Sequence, residues 1–288
     1  MIVRRARYAV PLPGGRTLQL GERTLIMGIL NVTPDSFADG GLRFDPERAV
    51  ADGLQMVADG ADILDVGGES TRPGAEPLPE SEELRRVLPV VEQLSRQARV
   101  PVSIDTYKSS VARQAVARGA AIVNDVSALR FDEELAGAVA DTGAALVVMH
   151  NRGRSRDMYG QAAYADLAAE IIGELQSVID RAVSAGVSRE AIIVDPGLGF
   201  AKRAEHTYEA IADLGRLRSL DRPLLSGPSR KSFLTHALGT RPPEEREWGT
   251  AAAVTASVLL GAHIVRVHGV REMVDVVRVA DRIASAVR

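Results

Sequence analysis

The sequence predicts an α/β protein, a (β/α)8 TIM barrel preceded by a short N-terminal β-hairpin. Eight short apolar runs recur between residues 25 and 269, and they are nearly continuous in apolar character, as are strands buried on both faces of a parallel sheet. Segments with helical spacing separate the runs, for example Leu167, Ile171, Leu175 and Val178. Eight strand-then-helix units without a break in composition favour a closed barrel.

The predicted strands are LIMGILN (25–31), DILDVGG (62–68), VSIDT (102–106), AIVND (121–125), ALVVMH (145–150), AIIVDPG (191–197), PLLSGPSR (223–230) and HIVRVHG (263–269). Before them, the chain alternates around Pro13, Gly14 and Gly15, which predicts the hairpin. We therefore assign residues 1–288 to a single domain, with the hairpin at 1–22 and the barrel at 23–288. An open doubly wound sheet is the alternative, but no G-x-G-x-x-G motif follows the first run.

Composition limits the class of protein. Of the 288 residues, 45% are hydrophobic and 25% are charged, as in ordinary globular proteins. The net charge of -3, without basic runs interleaved with aromatic residues, argues against a nucleic-acid partner. We expect no membrane association, because no apolar segment approaches the roughly 20 residues of a membrane span and the N-terminus lacks a signal-peptide pattern. The chain has no cysteine, so thiolate chemistry is excluded and a cytoplasmic location is expected.

Polar residues end almost every apolar run, where barrel enzymes carry their active sites. They include Asn31, Asp105, Asn124, Asp195, Lys231, Arg266 and His268. Burying such groups together is costly unless they pair with each other or with a polar ligand. Carboxylates and an amide suit a flat heterocycle with N–H donors. Arg72, Arg266 and His268 suit a phosphate, and the oxygen of Asn31 suits a hard cation such as Mg2+. Asp125 is interpreted as a structural capping residue.

Seven motifs at these positions together resemble the dihydropteroate synthase family: MGILNVTPDSFADGG, DVGGESTRPGA, SIDT, VND, DPGLGFAK, SGPSRKSF and IVRVH. They occur in order from Met27 to the C-terminus. The resemblance implies a transferase of folate biosynthesis that condenses 6-hydroxymethyl-7,8-dihydropterin pyrophosphate with p-aminobenzoate. The products would be 7,8-dihydropteroate and pyrophosphate. The resemblance also implies a requirement for Mg2+, a homodimer and inhibition by sulfonamides.

The same resemblance implies a role for each matching residue. The implied pterin-binding residues are Asp105, Asn124, Met149, Asp195, Lys231 and Arg266. The implied pyrophosphate-binding residues are Thr71, Arg72, Arg266 and His268, and the implied Mg2+ ligand is Asn31. The implied p-aminobenzoate site comprises Phe37, Arg72, Pro73, Phe200 and Ser232. The implied catalytic residues are Asp39, Lys231, Arg266 and His268. Catalysis would depend mainly on electrostatics and positioning, with pyrophosphate leaving first.

One position departs from the family pattern, because Gly269 follows the RVH motif where the family usually has Asp. This departure puts the support of His268 in question more than the activity. A pterin-binding methyltransferase of the same barrel type is one alternative, but it has no use for pyrophosphate. A non-catalytic pterin-binding homologue is another, and it should have lost residues such as Lys231, which this chain keeps. The sequence does not distinguish a sulfonamide-resistant variant from a sensitive one.

Overall fold

The N-terminal segment forms the predicted hairpin in the computed structural model, which describes residues 2–33, 45–70, 75–154 and 158–286. Strand β1 (Tyr8–Leu12) pairs antiparallel with β2 (Arg16–Leu20) across a short turn at Pro13–Gly15. Gly14 and Gly15 both have a φ of 73°, a left-handed conformation that glycine adopts without strain. The turn chemistry therefore explains why the chain reverses at this point.

Eight parallel strands form the barrel. They are β3 (Leu25–Asn31), β4 (Ile63–Gly67), β5 (Val102–Asp105), β6 (Ile122–Asp125), β7 (Ala145–Met149), β8 (Ile192–Asp195), β9 (Leu225–Ser226) and β10 (Ile264–Val267). Strands β3 to β8 pair in chain order, and β10 lies between β3 and β9. A parallel bridge between Val194 and Leu224 joins β8 to the segment before β9 and closes the ring. Each strand lies within its predicted run, so the predicted barrel is confirmed.

Helices surround the barrel. They are α1 (Pro46–Ala58), α2 (Glu80–Gln97), α3 (Ser109–Ala117), α4 (Leu135–Thr142), α5 (Leu167–Ser184), α6 (Ala204–Ala212), α7 (Thr235–Leu238), α8 (Glu247–Leu259) and α9 (Val270–Ala286). Local signals set their ends: the Asp166 side chain caps α5, and α4 ends at Gly143 with a φ of 68°. Their apolar faces pack on outward-facing strand residues such as Leu64 and Leu146. Across the described ranges, no helix is both long and apolar enough to cross a membrane.

The first part of the chain is also tied to α9 near the C-terminus. Asp281 on α9 accepts a hydrogen bond from the Arg5 guanidinium over 2.7 Å and one from the Thr24 backbone N–H over 2.8 Å. Arg5 and Asp281 are both largely buried, with side-chain exposures of 9% and 18%. These contacts fix the start of β3 against the outer helix layer.

Inward-facing side chains form layers inside the barrel, because alternate residues of a strand face the same side. The layer near the strand N-termini is apolar and includes Met27, Ile63, Ile122, Val147, Ile193 and Ile264. Four hairpin residues pack into the same cluster: Val10, Leu12, Leu18 and Leu20. The hairpin therefore covers this end of the barrel. The polar residues that remain lie toward the opposite end.

Candidate active site

Strand register brings the predicted polar residues to one end of the barrel. Asn31 is the Cα partner of Gly67, Gly67 is the partner of Asp105, and Asp105 is the partner of Asn124. Partners in register on parallel strands face the same side of the sheet, so their side chains share the interior. We call this end, lined by Asn31, Asp105, Asn124, Met149, Asp195, Lys231, Arg266 and His268, the barrel mouth.

Arg266 is the centre of a buried network in the barrel mouth. Its Nε donates to Asp65 Oδ2 over 2.6 Å, and its Nη2 donates to Asp105 Oδ2 over 2.7 Å. Asn124 Nδ2 donates to the same Asp65 oxygen over 3.0 Å. Two carboxylates thus share one guanidinium, and together with Asn124 they hold Arg266 in a fixed orientation.

The network leaves a hydrogen-bond acceptor available for a ligand. Among the described residues, Asp65 Oδ1 is buried without a hydrogen-bond partner. Burial raises the pKa of Asp105 to about 7, and the Asp65 carboxylate adds to the rise while Arg266 opposes it. A buried carboxylate of this kind is stabilised by N–H donors from a bound molecule. The site is therefore suited to a heterocycle that presents several N–H groups.

Asp195 and Lys231 lie on the opposite wall, where Met149 is the strand partner of Asp195. The Asp195 carboxylate accepts the Gly197 N–H over 2.7 Å, and Lys231 Nζ donates to the Leu198 carbonyl oxygen over 2.6 Å. Burial raises the pKa of Asp195, although Lys231 opposes the shift. Burial also lowers the pKa of Lys231 to about 8, although Asp195 opposes it. A polar ligand that binds here can replace these intramolecular hydrogen bonds of Asp195 and Lys231 with its own.

The Ser229 hydroxyl holds His268. Ser229 Oγ lies 2.9 Å from His268 Nδ1 and accepts the His268 backbone N–H over 3.1 Å.

The next residue, Arg230, has a φ of 56°, which is unusual for a residue with a side chain. Its backbone N–H donates to Thr250 Oγ1 over 3.0 Å, so α8 stabilises this conformation.

Gly269 makes room for a carboxylate from α8. A Cβ at Gly269 would lie 2.5 Å from Glu247 Oε1 and 3.0 Å from Glu272 Oε2. Glu247 Oε2 accepts a hydrogen bond from Arg230 Nε over 2.8 Å. An acidic group therefore occupies the space beside position 269 although the residue itself is glycine. His268 is supported by Ser229 and does not depend on a side chain at 269.

Phe200 and Ser232 both lie close to Lys231. The Lys231 ammonium is 4.6 Å from the centroid of the half-buried Phe200 ring. Ser232 is exposed and begins the short 3-10 helix Ser232–Leu234, which runs into α7. Phe200 therefore lies beside the Lys231 ammonium, and Ser232 directly follows Lys231 in the chain. The remaining predicted residues, Phe37, Asp39, Thr71, Arg72 and Pro73, lie outside the described residues.

Asn31 is the described residue suited to hold Mg2+. Elsewhere in the described ranges, no group of three or more His, Asp or Glu side chains is arranged to hold a metal. Asn31 ends β3 at the barrel mouth and is partly buried. Mg2+ keeps several waters and takes further ligands from substrate phosphates, so one protein oxygen fits such an ion.

The sequence did not indicate Asp65, and it assigned to Asp125 a capping role, whereas Asp125 stabilises the turn that follows β6. Asp65 lies in the middle of a buried run, whereas the prediction considered residues at the ends of runs. The alternation of Ile63, Asp65 and Gly67 along β4 was the signal that could have identified it. Asp125 accepts the backbone N–H groups of Ser127 and Leu129 over 2.7 and 2.6 Å, as expected of a structural residue.

Comparison with known proteins gives one consistent result. The family model described as "Pterin binding enzyme" matches residues 27–268. The dihydropteroate synthase of Synechocystis sp. is 44% identical over 95% of this chain and 95% of its own length. The Yersinia pestis dihydropteroate synthase, solved as a sulfonamide drug complex, superposes with a TM-score of 0.89 at 39% identity, covering 95% of this chain and 98% of that one. The Xanthomonas albilineans dihydropteroate synthase, solved with 4-aminobenzoic acid, gives 0.88 at 43% identity, covering 97% and 100%.

Proposed function

This chain belongs to the dihydropteroate synthase family of pterin binding enzymes, and we propose that its barrel mouth condenses a dihydropterin pyrophosphate with p-aminobenzoate. The enzyme is a transferase of folate biosynthesis and a target of sulfonamides. The observation that carries the residue assignments is the network in which Asp65 and Asp105 share Arg266. This network offers buried acceptors for a heterocycle beside a guanidinium that suits a phosphate.

The pterin is assigned to the interior of the barrel mouth. Asp105, Asn124 and Asp195 would accept or donate hydrogen bonds along its edge, and Lys231 would meet its carbonyl oxygen and ring nitrogen. Met149, with an exposure of 3%, would contact the ring face. The raised pKa of Asp195, caused first by burial, supports this assignment because a ligand N–H donor would compensate the buried charge.

The pyrophosphate is assigned to the outer part of the barrel mouth. Arg266 and His268 would contact it, together with Thr71 and Arg72, which lie outside the described residues. Asn31 would hold Mg2+, which when bound would neutralise part of the charge on the leaving group. Ser229 supports this role because its hydroxyl contacts the His268 ring at Nδ1 and also accepts the His268 backbone N–H.

The proposed reaction needs no protein nucleophile. The bond between the exocyclic methylene carbon and the pyrophosphate oxygen breaks first, and its electron pair leaves with pyrophosphate. The amine nitrogen of p-aminobenzoate then forms the new carbon–nitrogen bond and loses a proton to solvent. Arg266 and His268 would stabilise the departing charge, and Asp39 would stabilise the developing cation. Phe37, Arg72, Pro73, Phe200 and Ser232 would form the p-aminobenzoate site.

Direct detection of the product tests this function. The purified protein is incubated with both substrates and Mg2+, and 7,8-dihydropteroate is measured by mass spectrometry. Product is expected only when both substrates are present, and a sulfonamide should compete with p-aminobenzoate and not with the pterin. If no product and no pyrophosphate formed, but the protein transferred a methyl group from a methylated pterin in a separate assay, a methyltransferase of the same barrel type would be supported instead.

A homodimer and a cytoplasmic location are further parts of the proposal. Trp248 on α8 is 87% exposed, and Val279 and Ile283 on the adjacent α9 are 61% and 45% exposed. Large exposed apolar side chains are typical of surfaces that pair with a second copy. Light scattering of the wild type and of Trp248→Asp would test the pairing, with a monomer expected for the variant. The absence of cysteine fits a reducing compartment.

A further inference from the structure

Lys202 is a buried lysine that lies outside the assigned substrate contacts. It is 1% exposed, and its Nζ lies 2.7 Å from His150 Nδ1 and donates to the Phe200 carbonyl oxygen over 3.1 Å. Burial lowers the pKa of Lys202 to about 7, although Asp195 opposes the shift. Burying an amine in this way is costly even with two contacts, which indicates that Lys202 has a specific role at this place.

His150 connects Lys202 to the outer helix layer. Its Nε2 lies 3.2 Å from Glu174 Oε2 on α5, and Arg152 Nε donates to Glu174 Oε1 over 2.8 Å. Burial, and next the nearby Lys202, lower the pKa of His150 to about 4, so the ring is neutral near pH 7. A neutral ring can accept from Lys202 at Nδ1 while Nε2–H faces Glu174. Lys202 therefore contacts the His150 ring on one side, and the Glu174 carboxylate lies close to the other side of that ring.

Lys202 ends the segment 197–202, which we call the 197–202 loop. Gly197, Gly199 and Ala201 have φ values of 67°, 77° and 49°, so the loop alternates through left-handed conformations. Its carbonyl groups are taken up by three separate donors. Lys231 donates to Leu198, Lys202 donates to Phe200, and the Tyr164 hydroxyl donates to Ala201 over 2.6, 3.1 and 2.9 Å respectively.

We propose that Lys202, held by His150 and Glu174, is a positioning residue that sets the Phe200 ring for the p-aminobenzoate substrate. Lys202 touches no substrate and acts through the Phe200 carbonyl group. The inference rests on the proposed function and assigns to it a residue outside the substrate contacts.

The arrangement predicts a selective effect. Without the Lys202 donor, both the Phe200 carbonyl oxygen and His150 Nδ1 lose their buried partner, so the loop must shift near Phe200. Leu198 keeps its own donor, Lys231, and the pterin side of the loop is therefore held independently. The affinity for p-aminobenzoate should fall while the affinity for the pterin substrate is maintained.

Steady-state kinetics with each substrate varied in turn test the inference. Lys202→Met keeps the length of the side chain but removes the donor, and His150→Leu removes the acceptor. Each should raise KM for p-aminobenzoate by about tenfold or more and leave KM for the pterin pyrophosphate within about twofold. His150→Asn places a polar atom near the former Nδ1 position and should restore a KM close to that of the wild type.

Two further variants separate positioning from general stability. Arg5→Met, at the far end of the barrel, should lower the melting temperature without changing either KM. Glu174→Gln, which is partly exposed and should fold readily, should raise KM for p-aminobenzoate by about threefold. Unchanged KM values in the Lys202, His150 and Glu174 variants, or equal rises for both substrates, would overturn the inference. Absence of dihydropteroate with the wild type would instead overturn the proposed function.

Discussion

The Glu247 carboxylate occupies the space that a side chain at Gly269 would need, with Oε1 only 2.5 Å from the Cβ position. Glu247 is held there by Arg230, whose neighbours Ser229 and Lys231 carry contacts of the barrel mouth. The Glu247 side chain therefore fills the space that the absence of a side chain at Gly269 leaves open. An acidic group at this point comes from α8 and not from the strand end.

Gly269→Asp should destabilise the protein by about 1–3 kcal/mol, because the new side chain displaces Glu247 from Arg230 and brings carboxylates together. Adding Glu247→Ala should recover part of the loss, since the new carboxylate can then take over Arg230. Thermal unfolding and kcat/KM of the two single variants and the double variant measure this coupling. Gly137→Asp is a control, because a Cβ there meets no atom within 4 Å. Additive losses in the double variant would show that the two positions are independent.

Asp65→Asn should weaken pterin binding by at least about tenfold, or about 1.4 kcal/mol, because Arg266 loses one of its two charged partners and changes orientation. Calorimetric titration with a bare pterin is the measurement. Asp125→Asn is the matched control, because Asp125 is equally buried but bonds to the turn that follows β6 and not to Arg266. Equal effects of the two substitutions on pterin affinity would remove Asp65 from the site.

Lys231→Met and Asp195→Asn should each reduce pterin affinity by about 2–3 kcal/mol and change the melting temperature little. Keeping a charge buried in the empty site is costly. Removing one charge therefore removes this cost together with the interactions of that group, and the two effects on stability partly cancel. Calorimetry with a pterin ligand and thermal unfolding give the two readouts. Unaltered affinity in both variants would show that the pterin binds elsewhere.

The protein should lose stability as the pH falls from 6.5 toward 4. Burial lowers the pKa of His263 to about 4, and its neutral ring accepts the Leu224 N–H at Nδ1 over 3.1 Å. The unfolded chain therefore binds the proton more readily, and the stabilisation present above pH 6.5 is lost as the pH falls through this window. A full shift corresponds to about 3 kcal/mol. In urea unfolding at several pH values, His263→Asn should show a shallower pH dependence than the wild type, and an equally steep one would contradict this explanation.

Leu20→Ala in the hairpin should lower stability by about 2–4 kcal/mol without changing kcat, because Leu20 packs into the apolar layer far from the barrel mouth. Gln19→Ala, an exposed residue on the same strand, is the control. Urea unfolding and turnover are measured on both variants. A folded Leu20→Ala variant with reduced turnover would mean that the hairpin also acts on the active site.

The sequence predicted the strands because each consists of a continuous apolar run, and it placed Asp105, Asn124 and Asp195 at the barrel mouth because each lies at the end of such a run. The sequence pattern did not predict contacts between residues that are far apart in the chain. Lys202 and His150 are 52 positions apart, and no local pattern indicates that a buried amine meets a ring nitrogen. The Glu247 carboxylate beside Gly269 was missed for the same reason, since it comes from a helix earlier in the chain.

The position of β10 between β3 and β9 has a consequence for synthesis on the ribosome. Until residues 264–267 have been made, β3 and β9 each present an unpaired edge, and an exposed edge can pair with another nascent chain. The tie from Arg5 to Asp281 spans 276 positions and forms later still. The ring therefore cannot close before the last strand has been made, and we expect protection by a chaperone to matter most at that stage.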